Sequence, residues 1–263
     1  MHRQKGFTLI ELLVVISIIA LLVSILLPAL SKAKRQTKAA ICLSNLHEWA
    51  VVMQMYVDDN KGLFMADQGH EKYAALGRPE LKFYYNNDKL LLCPMATKPY
   101  EEGARNPFGA WRGWKPDDPL GNLPCSYGIN SWIVSQPCAS GTDTQDGALL
   151  WKTPYVKGAG YVPMVFDCAG YENACPWHKD EPPEYDGHWV QNTNESEMRY
   201  VCLNRHNEHV NMAFCNFSVR RVGLKELWEL WWHRNWNPNN DPPPAFCDDS
   251  GPYDGWMCHM KDY

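Results

Sequence analysis

Residues 7–30 read FTLIELLVVISIIALLVSILLPAL, a 24-residue run in which Glu11 is the one charged side chain. About 20 apolar residues suffice to cross a bilayer as a helix. A secretory signal has a shorter apolar stretch with a small-residue cleavage site after it. Here a short basic leader, MHRQKG, precedes the run and ends in Gly6. Glu11 is the informative residue, because a carboxylate inside an apolar span is costly and needs a cationic partner at the same depth. Cutting after Gly6 creates one, the new α-amine of Phe7. Between staggered parallel helices that amine can meet a neighbour's Glu11, and the cost of leaving a buried charge unpaired then fixes register.

Gly6-Phe7-Thr8-Leu9-Ile10-Glu11 followed by an apolar run resembles the signal of type IV prepilins and type II secretion pseudopilins. The resemblance implies cleavage between Gly6 and Phe7 by a prepilin peptidase, methylation of the Phe7 amine, and a role for Glu11 in assembly. It also implies partners: other pilin-like subunits in a homo- or hetero-filament, an inner-membrane assembly platform and membrane lipid. The head is then expected in the periplasm or in an extracytoplasmic filament of a single-pass inner-membrane protein. A positive-inside count points the other way, since four basic residues follow the run and two precede it. The specific signal overrules that count.

Ser31 to Tyr56 contains no Gly or Pro. Its apolar positions Ala39, Ile41, Leu43, Leu46, Trp49, Ala50, Met53 and Tyr56 include the spacing of an amphipathic helix. The expectation is one helix from Phe7 to about Tyr56, roughly 75 Å long at 1.5 Å per residue. Its first half lies in lipid and its second half against a globular head, and Pro28 kinks or loosens it. Asp58-Asp59-Asn60-Lys61-Gly62 supplies the stop. This divides the chain into a leader (1–6), a transmembrane helix (7–30), an amphipathic extension (31–62) and a head (63–263).

In the head, short β-type runs are expected at Leu81–Tyr85, Lys89–Cys93, Ser131–Val134, Tyr161–Phe166 and Val210–Phe214, the last in a hairpin with Ser218–Val222. Lys98 to Asn122 reads as a long loop packed through Phe108, Trp111 and Trp114. The fold class is α+β, a long N-terminal helix on a small antiparallel sheet with long loops. Leu91-Leu92-Cys93-Pro94, Cys125-Ser126-Tyr127-Gly128-Ile129-Asn130-Ser131-Trp132 and Arg205-His206-Asn207 are similar to pilin-like proteins of planctomycete-type bacteria. That group carries His, nine residues, then Asp-Gly. Here Asn216-Phe217 replaces Asp-Gly, which leaves the turn type of the hairpin open, because Phe217 replaces glycine poorly where φ is positive.

Residues 1–38 hold six basic residues and one acid; removing them from the 25 basic and 30 acidic residues of the chain leaves 19 and 29, formally −10. An acidic head argues against a nucleic-acid surface. Ten cysteines (Cys42, Cys93, Cys125, Cys138, Cys168, Cys175, Cys202, Cys215, Cys247 and Cys258) with no CxxC pair read either as buried free thiols in several cases or, the favoured reading, as at least some disulfides in an oxidising compartment. Connectivity is not legible from spacing; nearest-neighbour pairing joins 125–138, 168–175, 202–215 and 247–258 and leaves Cys42 with Cys93.

His178, Asp186, His188, His206 and His209 could be drawn into a hydrolase or metal site. No HExxH, GxSxG or phosphate loop accompanies them, and His206 is expected to hydrogen-bond the hairpin loop instead. The oxygen-rich C-terminal segment offers Asn239, Asn240 and four carboxylates, Asp241, Asp248, Asp249 and Asp254, as calcium candidates. The resemblance raises that prospect, because major pseudopilins often hold calcium in a C-terminal loop. The competing reading is a solvated acidic loop and no cofactor. Leu224, Leu227, Trp228, Trp231 and Trp232 fall at helical spacing and read as core cover or as a contact surface. The expectation is therefore a structural filament subunit and not an enzyme, most specifically a pseudopilin of a type II secretion-like system. The alternatives are a surface pilus subunit and a membrane-tethered binding module sorted by the same signal.

Overall fold

The computed structural model describes residues 8–66, 75–98, 107–112, 124–136, 147–169, 173–177, 180–183, 196–236 and 256–261. One helix, α1 (Leu9–Asp59), spans 51 residues and runs through Pro28. It ends three residues later than Tyr56, where Lys61 (φ +59°) and Gly62 (φ +79°) turn left-handed and the Gly62 N–H donates to the Val57 carbonyl at 2.9 Å. Between Leu9 and Leu30 the helix is apolar on every side and exposed on every side. Such a surface is stable only when lipid or neighbouring helices cover it. From Cys42 onward the burial becomes one-sided: Cys42, Leu46, Trp49, Met53, Tyr56 and Val57 face the head.

Among the described residues seven strands follow: β1 (Trp111–Arg112), β2 (Pro124–Cys125), β3 (Tyr127–Asn130), β4 (Pro163–Asp167), β5 (Asn173–Ala174), β6 (His209–Phe214) and β7 (Val219–Gly223). β1 and β2 form a separate two-stranded ribbon. The main sheet has the order β5-β3-β4-β6-β7; four strands are antiparallel, and β5 adds a short parallel pairing at the β3 edge. The long helix on a small antiparallel sheet with long loops is the expected α+β architecture.

Strand alternation divides the core in two. Tyr127 and Ile129 of β3, Val165 of β4 and Ala213 of β6 pack with the buried stripe of α1. Phe166, Val210, Met212, Phe214 and Val222 point to the other face, under Trp132, Trp228, Trp232 and Trp236. The tryptophan stripe is thus core cover: Trp228 is buried on a 3-10 turn (Lys225–Glu229), Trp232 is buried just after it, and Trp231 stacks on Tyr161 at 5.6 Å.

Three expected strands are not strands. Pro79–Lys82 is a short helix, α2, begun by Pro79, and it takes up the start of the Leu81–Tyr85 run. Asp88–Leu91 and Ser131–Ile133 are 3-10 turns. In both, an asparagine at the cap captures the backbone: Asn87 accepts from the Lys89 N–H at 3.1 Å and Asn130 from the Trp132 N–H at 3.0 Å. Such local side-chain bonds compete with sheet pairing and here outweigh β propensity. The β6–β7 hairpin forms as expected, with Val210 opposite Val222 and Ala213 opposite Val219. Phe217 itself takes the left-handed conformation (φ +63°), while Asn216 Oδ1 accepts from the Ser218 N–H and hydroxyl. Of the long loop, Lys98 bridges Gly109, and Trp111–Arg112 forms β1; Trp114 lies outside the described residues.

Candidate functional site

The N-terminal site begins at Thr8, since Gly6 and Phe7 lie outside the described residues. Thr8 caps α1, and its hydroxyl accepts from the Glu11 N–H at 3.3 Å. The Glu11 carboxylate turns back to accept from the Thr8 N–H and hydroxyl, each at 2.8 Å. This reciprocal arrangement is a capping box, and its signature, Thr8-x-x-Glu11 before an apolar run, is present in the sequence. Glu11 is thereby held at the very start of the helix. Thr8 is a helix-capping residue that the sequence reading passed over.

A second constellation lies between α1 and the sheet. Tyr127 and Asp167 sit opposite each other in the β3–β4 register and, like Asn211 on β6, face the helix. Cys42 reaches them from the buried stripe of α1. Cys93 arrives on the segment after the Asp88–Leu91 3-10 turn, its N–H held by the Ser126 hydroxyl at 2.7 Å. His206 arrives on the segment before β6. Cys42 Sγ is 3.5 Å from each Asp167 oxygen, Cys93 Sγ is 3.4 Å from His206 Nε2, and His206 Nε2 is 3.1 Å from Asp167 Oδ2. The Tyr127 hydroxyl donates to Cys42 Sγ at 3.3 Å, and the Asn211 N–H donates to Asp167 Oδ2 at 3.0 Å.

Arg205 completes the shell. Its side chain is buried, and all five N–H donors are used: on the carbonyls of Pro107, Gly109, Ser126 and Cys168, and on Asp167 Oδ1. Burial pushes the Asp167 carboxyl upward, but the His206 and Arg205 charges and the Asn211 N–H prevail and hold it well below the usual carboxylate range. Burial likewise opposes charge on His206, yet Asp167 and Cys93 raise it to about 9. Cys93 is raised by burial, but hydrogen bonds from Cys42 and His206 and the Arg205 charge bring it down to about 6. Burial drives Cys42 upward.

His206 therefore does not serve the hairpin loop through its side chain; the ring faces Asp167 and Cys93. His209 stays apart, its Nδ1 2.8 Å from the Asn207 carbonyl. His178, Asp186, His188 and the calcium candidates Asp241, Asp248, Asp249 and Asp254 lie outside the described residues. No disulfide joins two of the described cysteines. Cys42 and Cys93 are neighbouring thiols. Cys202 and Cys215 cannot pair, because Cys202 belongs to the cluster behind the sheet and Cys215 to the cluster under the helix. Cys168 and Cys175 are not joined either, and Cys138 and Cys247 lie outside the described residues. Cys93 and His206 sit in segments that the sequence reading quoted, but no short spacing signal links them to Cys42 and Asp167.

Residues 1–27 match the family described as the prokaryotic N-terminal methylation motif. The chain is 42% identical over 60 residues to the type IV wide pilus major component PilA4 of Thermus thermophilus, covering 23% of this chain and 46% of that protein. It is 28% identical over 114 residues to type II secretion system core protein G of Pseudomonas aeruginosa, covering 41% of this chain and 80% of that protein. The chain thus aligns with less than half of the Thermus protein. No solved structure matches.

Proposed function

We propose that this chain, which belongs to the type IV pilin-like superfamily, is a pseudopilin, a structural and non-enzymatic subunit of a type II secretion-like filament. The observation that carries this reading is the position of Glu11: the one charged side chain in the apolar, exposed Leu9–Leu30 part of α1, held by Thr8 at the helix start. An apolar surface exposed on every side needs lipid or neighbouring helices to cover it. A filament supplies that cover, because the apolar helices pack into a core and each Glu11 meets the Phe7 amine of a neighbour. A prepilin peptidase cuts between Gly6 and Phe7 and the new amine is methylated. Lipid holds residues 7–30 until an inner-membrane platform passes the subunit to other pilin-like subunits, with the acidic head outside the cytoplasm.

Similarity to the Pseudomonas secretion protein over most of its length supports the secretion reading. The higher identity to the Thermus pilus component supports a second reading, a surface pilus subunit with the same assembly chemistry. Mass spectrometry of the protein from cells with an active prepilin peptidase tests what both share. A mature chain starting at methylated Phe7 is expected; a stable product starting at Met1 contradicts it. Deleting the gene then separates the readings, with loss of exported proteins for a pseudopilin and loss of surface fibres for a pilin.

A further inference from the structure

We propose that Cys42, Cys93, Asp167 and His206 bind one zinc ion that fastens the N-terminal helix to the head. Two sulfurs, an imidazole nitrogen and a carboxylate oxygen form a donor set suited to zinc in a closed tetrahedral site. All four residues are buried, and their donor atoms lie within 4.8 Å of one another. Metal–ligand bonds of about 2.0–2.3 Å imply tetrahedral edges of about 3.3–3.8 Å. Three of the six edges, at 3.5, 3.4 and 3.1 Å, fall within or just below that range, and the others are no longer than 4.8 Å, so movements of about 1 Å or less suffice to admit the ion.

The surroundings fit the same occupant. A metal site needs outer groups that aim its ligands. Tyr127 donates to Cys42 Sγ, while Arg205 and Asn211 hold Asp167 from two sides. Two thiolates and one carboxylate bring three negative charges; Zn²⁺ and Arg205 bring three positive ones, with His206 neutral. The loaded cluster is therefore uncharged in a place where net charge is expensive. Binding forms two Zn–S bonds, one Zn–N bond and one Zn–O bond, and any proton still on the two sulfurs, with the second proton of the imidazolium, passes to solvent. No redox step is involved. The four ligands come from α1, the segment after Asp88–Leu91, β4 and the segment before β6, so the ion joins four parts of the chain that no described disulfide links.

The test uses the full-length chain purified in detergent without chelator or reductant. Elemental analysis is expected to give about one zinc per chain, and alkylation is expected to spare Cys42 and Cys93 until a strong chelator removes the metal. Reloading with Co²⁺ should give the visible bands of tetrahedral, thiolate-ligated cobalt. Cys93→Ser should abolish zinc retention. Tyr127→Phe, which keeps every ligand, should weaken it by roughly tenfold. Cys202→Ala, buried behind the sheet, should leave it unchanged. Because Cys93→Ser could fail through misfolding, the alkylation and cobalt measurements on the wild-type chain stand by themselves. A disulfide between Cys42 and Cys93 without metal would overturn the proposal, as would two reactive thiols and no binding at excess zinc.

Discussion

Arg205 Nη1 donates to Asp167 Oδ1 across 3.0 Å with both side chains fully buried, and the same guanidinium ties four backbone carbonyls from three separate segments. Its value lies in satisfying every polar group it meets, since a buried ion pair alone contributes little net stability. Removing one partner is a different matter. Arg205→Met is expected to lower stability by about 3–5 kcal/mol, because Asp167 and four carbonyls lose their donor together. Arg205→Lys keeps the charge with fewer donors and should fall between. Urea unfolding followed by tryptophan fluorescence measures both; a loss under about 1 kcal/mol for Arg205→Met contradicts the clamp.

Gly158 is required for two reasons. Its φ is +75°, and a Cβ there would lie 2.2 Å from Cζ3 of Trp231. Gly158→Ala is expected to cost more than about 2 kcal/mol, with backbone strain and displacement of the indole adding. Because Trp231 stacks on Tyr161, near-UV circular dichroism should change as well. A variant with the wild-type melting temperature and spectrum contradicts this packing.

Cys202 and Cys215 sit in separate apolar clusters, and burial pushes both thiols far up. The thiolate is the reactive form, so neither should react with a maleimide in the folded protein. Both should react after denaturation without reductant. Peptide mapping that finds Cys202 linked to Cys215 contradicts the arrangement.

The sequence carries the long helix plainly, because its apolar span, one-sided extension and Asn60–Gly62 stop all act locally. It carries the β6–β7 hairpin for the same reason. Asn87 and Asn130 mislead a propensity reading, since one side-chain hydrogen bond at a cap outweighs several β-forming neighbours. The Cys42–Cys93–Asp167–His206 cluster is illegible for a different reason. Its members are set by the register that puts Tyr127 opposite Asp167 and by the face of α1 that carries Cys42, and neither leaves a spacing rule. Thr8, by contrast, was legible as a capping box.

Filament assembly is expected to turn on Glu11, and the most direct measurement is the fraction of subunit in sheared filaments against the membrane pool. Glu11→Ala makes the span more apolar, so membrane insertion should persist. It leaves each neighbouring Phe7 amine without a counter-charge, so incorporation should fall at least roughly tenfold. Glu11→Asp, with the charge on a shorter arm, should be intermediate. Thr8→Ala removes the cap hydroxyl but keeps the carboxylate, and it should assemble nearly as wild type. Filaments containing Glu11→Ala subunits at the wild-type level would contradict the account.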